Sequence, residues 1–201
     1  AATHRLLREV HAAVAAGVNW IQIREKELEG RELSALAGDA LRLAAGSSTR
    51  VLINDRLDVA VASGAKGVHL GSESLPVRDV TEWCEKHFGP ARAEKFMIGA
   101  SCHSLDDAVA AERDGADYIF FGPVFATPAK LRFGPPQGLE RLAEISQRVR
   151  IPVLAIGGVT LENAADCLRA GAAGIAAIRL FQEAENLAAV VAALQHLKIN
   201  H

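Results

Sequence analysis

Three short runs carry most of the residues able to do ionic chemistry. In the first, Gln22, Arg24 and Lys26 alternate with Ile21, Ile23 and Glu25. Read as an extended strand, this run sets an amide and two cations on one face and the isoleucines on the other. Cations turned inward require an anionic partner, because an unpaired buried charge is costly. The same residues on a solvated edge strand would simply face water. In the second run, Asn54-Asp55 follows the apolar Val51-Leu52-Ile53, where a helix cap alone would explain it. In the third, Gly157-Gly158 follows Val153-Leu154-Ala155-Ile156, where bare backbone N–H groups can approach a phosphate or merely form a tight turn. Arg179, after the last apolar run, would add a bidentate donor.

The elements that must position these runs alternate regularly. Leu6, Leu7, Val10 and Val14 fall at helical spacing, as do Leu33, Leu36, Ala40 and Leu43. Further helices are expected over 57–62, from Val77 with Val77, Val80, Trp83 and Cys84 on its inner face, from Leu105 to Glu112, from Leu139, over 161–168, and from Leu187. Pro76 suits a helix N-terminus and Ser104 an N-cap. Short apolar strands are expected over 20–24, 51–53, 68–70, 96–98, 118–121, 153–156 and 175–178. Gly17, Gly64, Gly115 and Gly171 each close a helix just before a strand, recurring about every 50 residues, the length of two βα units.

Strands alternating with helices imply parallel strands joined by right-handed crossovers. The spacing favours an α/β fold of the TIM (β/α)8 type, forming one domain over 1–201. About seven strands are found and the chain opens on a helix, so the first strand of a complete barrel is expected to be missing, by truncation. A gap there would leave edges open to association, allowing a homo-oligomer. In such a fold the chemistry gathers where strands end. Those positions hold Arg24, Lys26, Asn54, Asp55, the 71–74 loop, Ser101, His103, Thr127, Lys130, Gly157, Gly158 and Arg179. His69 reads as a core or lining histidine and His103 as a loop residue. Cys102 beside Ser101 has no paired His and acid to mark it as a nucleophile.

Bulk properties narrow the partners. A formal net charge of −2 with no block of like charge argues against nucleic acid or a membrane surface. No apolar run approaches the roughly 20 residues of a membrane span, and no signal peptide is visible. Three scattered cysteines suit a reducing cytoplasm better than a disulfide framework or zinc site.

Taken together, Gln22-Ile23-Arg24-Glu25-Lys26, Ile53-Asn54-Asp55-Arg56, Gly67-Val68-His69-Leu70-Gly71, Gly115-Ala116-Asp117-Tyr118, the 122–128 run Gly-Pro-Val-Phe-Ala-Thr-Pro and Ala155-Ile156-Gly157-Gly158-Val159 resemble the thiamine phosphate synthase/thiazole tautomerase (TenI) family, in order along the chain. The resemblance implies a transferase in thiamine biosynthesis, in which hydroxymethylpyrimidine diphosphate loses diphosphate and the thiazole phosphate nitrogen captures the pyrimidine methylene cation. By this similarity Gln22, Arg24, Lys26, Asn54 and Lys130 would hold the pyrimidine diphosphate and Ser101 would donate to it. Asp55 would ligate Mg2+. Thr127, Gly158 and the backbone at Ile178-Arg179 would hold the thiazole phosphate, beside Gly157.

The chain departs from the family's pattern at four places. Ser74 stands where synthases carry a second magnesium carboxylate, Ala129 where a second Thr is usual, and Arg179 where a small residue is usual. Pro123 stands where the tautomerase branch carries its His. A tautomerase working through His69 or His103, or a non-catalytic phosphate-binding descendant, therefore remains beside the synthase reading.

Overall fold

In the computed structural model, which describes residues 2–89, 91, 94, 96–126 and 135–199, the helical and strand periodicities resolve into a regular α/β alternation. The order is α1 (Ala2–Ala15), β1 (Trp20–Ile23), α2 (Gly30–Ala44), β2 (Arg50–Asn54), α3 (Leu57–Ser63), β3 (Gly67–Leu70), α4 (Val77–Phe88) and β4 (Met97–Cys102). It continues with α5 (Leu105–Arg113), β5 (Tyr118–Phe121), α6 (Gly138–Arg148), β6 (Val153–Ile156), α7 (Leu161–Arg169), β7 (Gly174–Ala176), α8 (Arg179–Gln182) and α9 (Leu187–Ile199). The seven strands form one parallel sheet in sequential order. Gly17, Gly64, Gly115 and Gly171 all have φ between 76° and 96°, the left-handed conformation that ends a helix and turns the chain into the next strand. The recurrent glycine is therefore the joint of each αβ connection.

The sheet is curled. Trp20 on β1 and Tyr118 on β5 have ring centroids 4.7 Å apart, whereas strands four places apart in a flat sheet would be separated by roughly 19 Å. The two rings meet across the inside of a barrel wall, in a cluster with Leu52, Met97, Phe120 and Leu154. The opposite face of the strands carries Val51, Ile53, Val68, Leu70 and Ile98, packed with Leu33, Leu36 and Ala40 of α2. Ile119, Phe121 and Ala155 pack likewise with Leu142 and Ile145 of α6. Strand alternation thus separates a small aromatic interior from an aliphatic outer layer. At the open side, Gln182 donates to Glu9 at 3.0 Å and Gln195 donates to the Gly17 carbonyl at 3.2 Å, so α1, α8 and α9 meet between the edge strands β1 and β7.

Several boundaries differ from those expected. β1 stops at Ile23, leaving Arg24 and Lys26 beyond the strand, because the exposed charges gain nothing from ladder pairing inside the wall. β4 runs on to Cys102, so Ser101 lies inside the strand, paired in register with Phe120. β7 is only Gly174–Ala176, and Ile178 is an exposed residue at the start of α8. Trp83 is 43% exposed rather than inward, with its indole stacked on His87 at 4.7 Å. Pro76 is the N-cap of α4, and the Ser104 side chain accepts from Asp107 N at 3.1 Å. Among the described residues, no helix is long and apolar enough to cross a membrane.

Candidate active site

Gln22 is the inward residue of β1 nearest the strand's end, in register with Leu52 of the interior cluster. Its Nε2 is buried and has no hydrogen-bond partner among the described residues. A buried amide donor left unpaired carries its full desolvation cost, so its presence marks a place for an acceptor. Directly beyond the strand, Arg24 and Lys26 are exposed. The cations therefore do not line a buried wall, as continued strand alternation predicts. They stand at the mouth, solvated, above a buried amide donor.

Asn54 ends β2 on the same inner face and is in register with His69. Asp55 follows at φ 66°, the one non-glycine residue with positive φ among those described. Its amide donates to the His69 carbonyl at 2.8 Å, while Arg56 N donates to Asn54 O at 2.7 Å, folding the chain sharply at the strand's end. Aspartate tolerates this conformation better than most side chains. The Arg56 guanidinium makes two bonds to Asp58, Nε–Oδ1 at 2.9 Å and Nη2–Oδ2 at 2.6 Å. A Cβ added at Gly30 would lie 2.9 Å from Arg56 Nη2. The guanidinium thus lies against the start of α2, the helix that follows the segment bearing Arg24 and Lys26.

A metal site here has modest protein ligation. No group of three or more His, Cys, Asp or Glu able to hold a metal occurs among the described residues. Ser74 is turned to its own loop, its Oγ accepting from Gly71 N at 2.8 Å. Asp55 directly follows β2, and the other carboxylates in the loops after these strands include Glu25 after β1 and Glu73 after β3. One carboxylate fits Mg2+, which commonly takes one or two carboxylates together with substrate phosphates and water, and does not fit an all-protein cage.

Beneath the mouth, His69 is 2% exposed. Its Nδ1 lies 3.1 Å from the Tyr118 hydroxyl and its Nε2 lies 2.9 Å from Ser101 Oγ. Burial lowers its pKa to about 3, so the imidazole is neutral. Burial likewise raises the Tyr118 pKa, with Asp117 adding to the effect, and keeps the phenol protonated. The ring of Tyr118 reaches His69 across Gly99, where an added Cβ would lie 2.0 Å from Tyr118 Cζ. Phe120, two residues along β5, also packs on the imidazole, with centroids 4.2 Å apart. Cys102 is no nucleophile, since burial and then Asp107 push its thiol up to about 12. His103 bridges loops, its Nδ1 hydrogen-bonding the Gly122 carbonyl and its backbone N donating to Asp107 at 3.1 Å.

Gly157 and Gly158 follow β6 at φ 94° and 68°. A Cβ on Gly157 would meet Pro123 at 2.6 Å and one on Gly158 would meet Ala126 O at 2.7 Å. The segment after β5 packs directly on this turn, with Val124 N donating to Ile156 O and Phe125 N to Gly157 O, both at 3.0 Å. Ile178 and Arg179 lie exposed at the start of α8. Thr127 and Lys130 lie outside the described residues. The strand ends thus bring Gln22, Arg24, Lys26, Asn54, Asp55 and Ser101 to one end of the sheet.

Sequence reading missed Tyr118, Gly99 and Arg56. The signal for Tyr118 was available, as the chain's one tyrosine in a strand whose partner face is Phe120. The reach of its ring over Gly99 depends on the register of β4 with β5, which periodicity does not give.

Comparison with known proteins gives the family. A family model described as thiamine monophosphate synthase matches residues 1–181. The chain is 42% identical to a thiamine-phosphate synthase of Roseiflexus castenholzii over 173 residues, covering 86% of this chain and 72% of the relative. It is also 42% identical to that of Chlorobium luteolum over 177 residues, covering 88% and 80%. The solved thiamine phosphate pyrophosphorylase of Pyrococcus furiosus superposes with a TM-score of 0.82 at 34% identity, covering 96% of this chain and 89% of that one. A 3-hexulose-6-phosphate synthase, 18% identical with a TM-score of 0.68, shares the fold. The chain belongs to the thiamine monophosphate synthase family.

Proposed function

We propose that this chain joins hydroxymethylpyrimidine diphosphate to thiazole phosphate, releasing diphosphate, with Mg2+ as cofactor. The observation that carries the reading is the unpartnered Gln22 Nε2 beneath Arg24 and Lys26: a donor and two cations wait for an anion at one strand end. Breaking the methylene C–O bond sends its electron pair to the departing diphosphate, and the thiazole nitrogen lone pair then forms the C–N bond. No proton has to be removed, so the site needs anion stabilisation and not a base. The residues at hand suit that demand. His69 is neutral and enclosed, whereas Gln22, Arg24, Lys26 and Asn54 supply donors and positive charge.

Asp55 would hold the magnesium together with diphosphate oxygens, and the metal would supply Lewis-acid neutralisation of the leaving group. Ser101 would donate to the diphosphate, and Lys130 would reach it by the family resemblance. The turn at Gly157-Gly158, with Thr127, Ile178 and Arg179, would take the thiazole phosphate. A tautomerase would need a proton carrier near neutrality; His69, its pKa near 3, does not serve, which leaves that reading to His103, whose Nδ1 bonds the Gly122 carbonyl. Three free, buried cysteines suit a reducing cytoplasm.

The test is product formation from both substrates with and without Mg2+, in the parent and in Asp55→Asn. Magnesium-dependent turnover lost in the variant supports the reading. Phosphate-dependent thermal stabilisation without any turnover would mark a binding protein instead.

A further inference from the structure

The contacts of His69 leave two ways to place the protons. In one, Tyr118 donates to Nδ1, Nε2–H donates to Ser101, and the Ser101 hydrogen is left to point elsewhere. In the other, both directions reverse, and the hydrogen left over belongs to Tyr118. The two differ in where the spare donor sits. Tyr118 is 1% exposed and, among the described residues, its hydroxyl has no partner except His69. Ser101 is half-buried at the end of β4, where the strand opens to the mouth. A spare donor on Tyr118 would be buried and orphaned, whereas one on Ser101 can meet a ligand.

We propose that Tyr118 and His69 are positioning residues that fix His69 as the Nε2–H tautomer and so turn the Ser101 hydroxyl into an obligate donor toward an anion. The polarity is the reverse of a nucleophile–base pair, although the 2.9 Å spacing resembles one. No carboxylate backs the imidazole; a neutral phenol does. Ser101 then offers its hydrogen outward and keeps its lone pair on His69. Gly99 belongs to the device, because any side chain there would displace the Tyr118 ring. The ligand class is an oxyanion such as the diphosphate of the proposed reaction, and that part rests on the synthase reading.

The test has two independent arms. In protein carrying 15N-labelled histidine, the His69 resonances, assigned by their loss in His69→Gln, should show a bare Nδ1 and a protonated Nε2 at pH 7. Tyr118→Phe, which keeps the ring, should turn that single tautomer into an exchanging mixture. A protonated Nδ1 in the parent, or a mixture already present there, overturns the proposal. In the second arm, titration with inorganic diphosphate and Mg2+ should show Ser101→Ala weakening binding roughly tenfold or more, as expected for a hydrogen bond to a charged group. His69→Leu should weaken it equally, with no further loss in the double variant, while His69→Gln, whose amide can still donate to Ser101, should recover most of it. Multiplying losses, or parent-like binding by a folded His69→Leu, overturn it. No diphosphate binding by the parent would overturn the anion site and the role given to Ser101, while the tautomer arm is decided on the protein alone.

Discussion

Asp55 and His69 are tied backbone to backbone: the Asp55 amide donates to the His69 carbonyl at 2.8 Å while Asp55 itself is held at φ 66°. One residue thus joins the exposed mouth to the buried imidazole below it. The left-handed conformation costs an ordinary L-residue about 1–2 kcal/mol and aspartate or asparagine less. Asp55→Asn should therefore melt within about 2 °C of the parent yet lose at least roughly a hundredfold in magnesium-dependent turnover. Asp55→Ala should lose the same turnover and about 1 kcal/mol of stability as well. Paired melting curves and assays separate the two effects.

Gly99 should tolerate no side chain. A Cβ there meets Tyr118 Cζ at 2.0 Å, and the ring is walled by Trp20 and His69. Gly99→Ala is expected to cost about 2–3 kcal/mol in denaturant unfolding, as overpacking does. It should also broaden or shift the His69 ring resonances, whereas an alanine at Gly38 in α2, where an added Cβ meets only Arg42 Nη1 at 3.6 Å, should do neither.

His69 gives stability a pH dependence whose sign is determined by burial. Its folded pKa is lowered to about 3, whereas an unfolded histidine titrates near 6.5. Below that value the unfolded chain binds a proton that the native chain refuses, so stability is complete above about pH 7 and falls as the pH drops toward 3. At pH 5 the loss from this group is about 2 kcal/mol. Chemical denaturation of the parent and of His69→Gln at pH 7.5 and pH 5 should show a smaller decline in the variant.

The alternation of elements was legible because local rules decide it. Four helix-ending glycines and seven apolar runs map onto four left-handed turns and seven parallel strands. The candidate mouth was legible where chemistry sits at a strand's end, as at Asn54-Asp55 and Gln22. It was less so where strand length decided the face. Periodicity carried β1 one residue too far, to Arg24, and placed Ser101 beyond β4 instead of within it. Trp83 was read as inward from its spacing along α4, but its stacking with His87 holds it at the surface. The Tyr118–His69–Ser101 chain was not legible at all. It depends on the register of three strands and on the missing side chain at Gly99, both tertiary facts.

Arg56 should act through position alone. Its two bonds to Asp58 and its place against Gly30 set the guanidinium between the Asp55 turn and the start of α2. Arg56→Lys, which keeps charge but not the planar fork, is expected to raise the KM for the pyrimidine diphosphate about threefold to tenfold. The KM for the thiazole phosphate should stay within about twofold, since Gly157-Gly158 follows β6, away from the β2 turn that carries Arg56.

The most direct measurement of the central claim is single-turnover formation of thiamine phosphate by the purified protein, with both substrates saturating and Mg2+ present, in the parent and in Arg24→Ala. The account predicts product in the parent and a rate at least roughly a hundredfold lower in Arg24→Ala, since the lost cation stabilises the departing diphosphate. No product from a folded parent, or an equal rate in the variant, would contradict it.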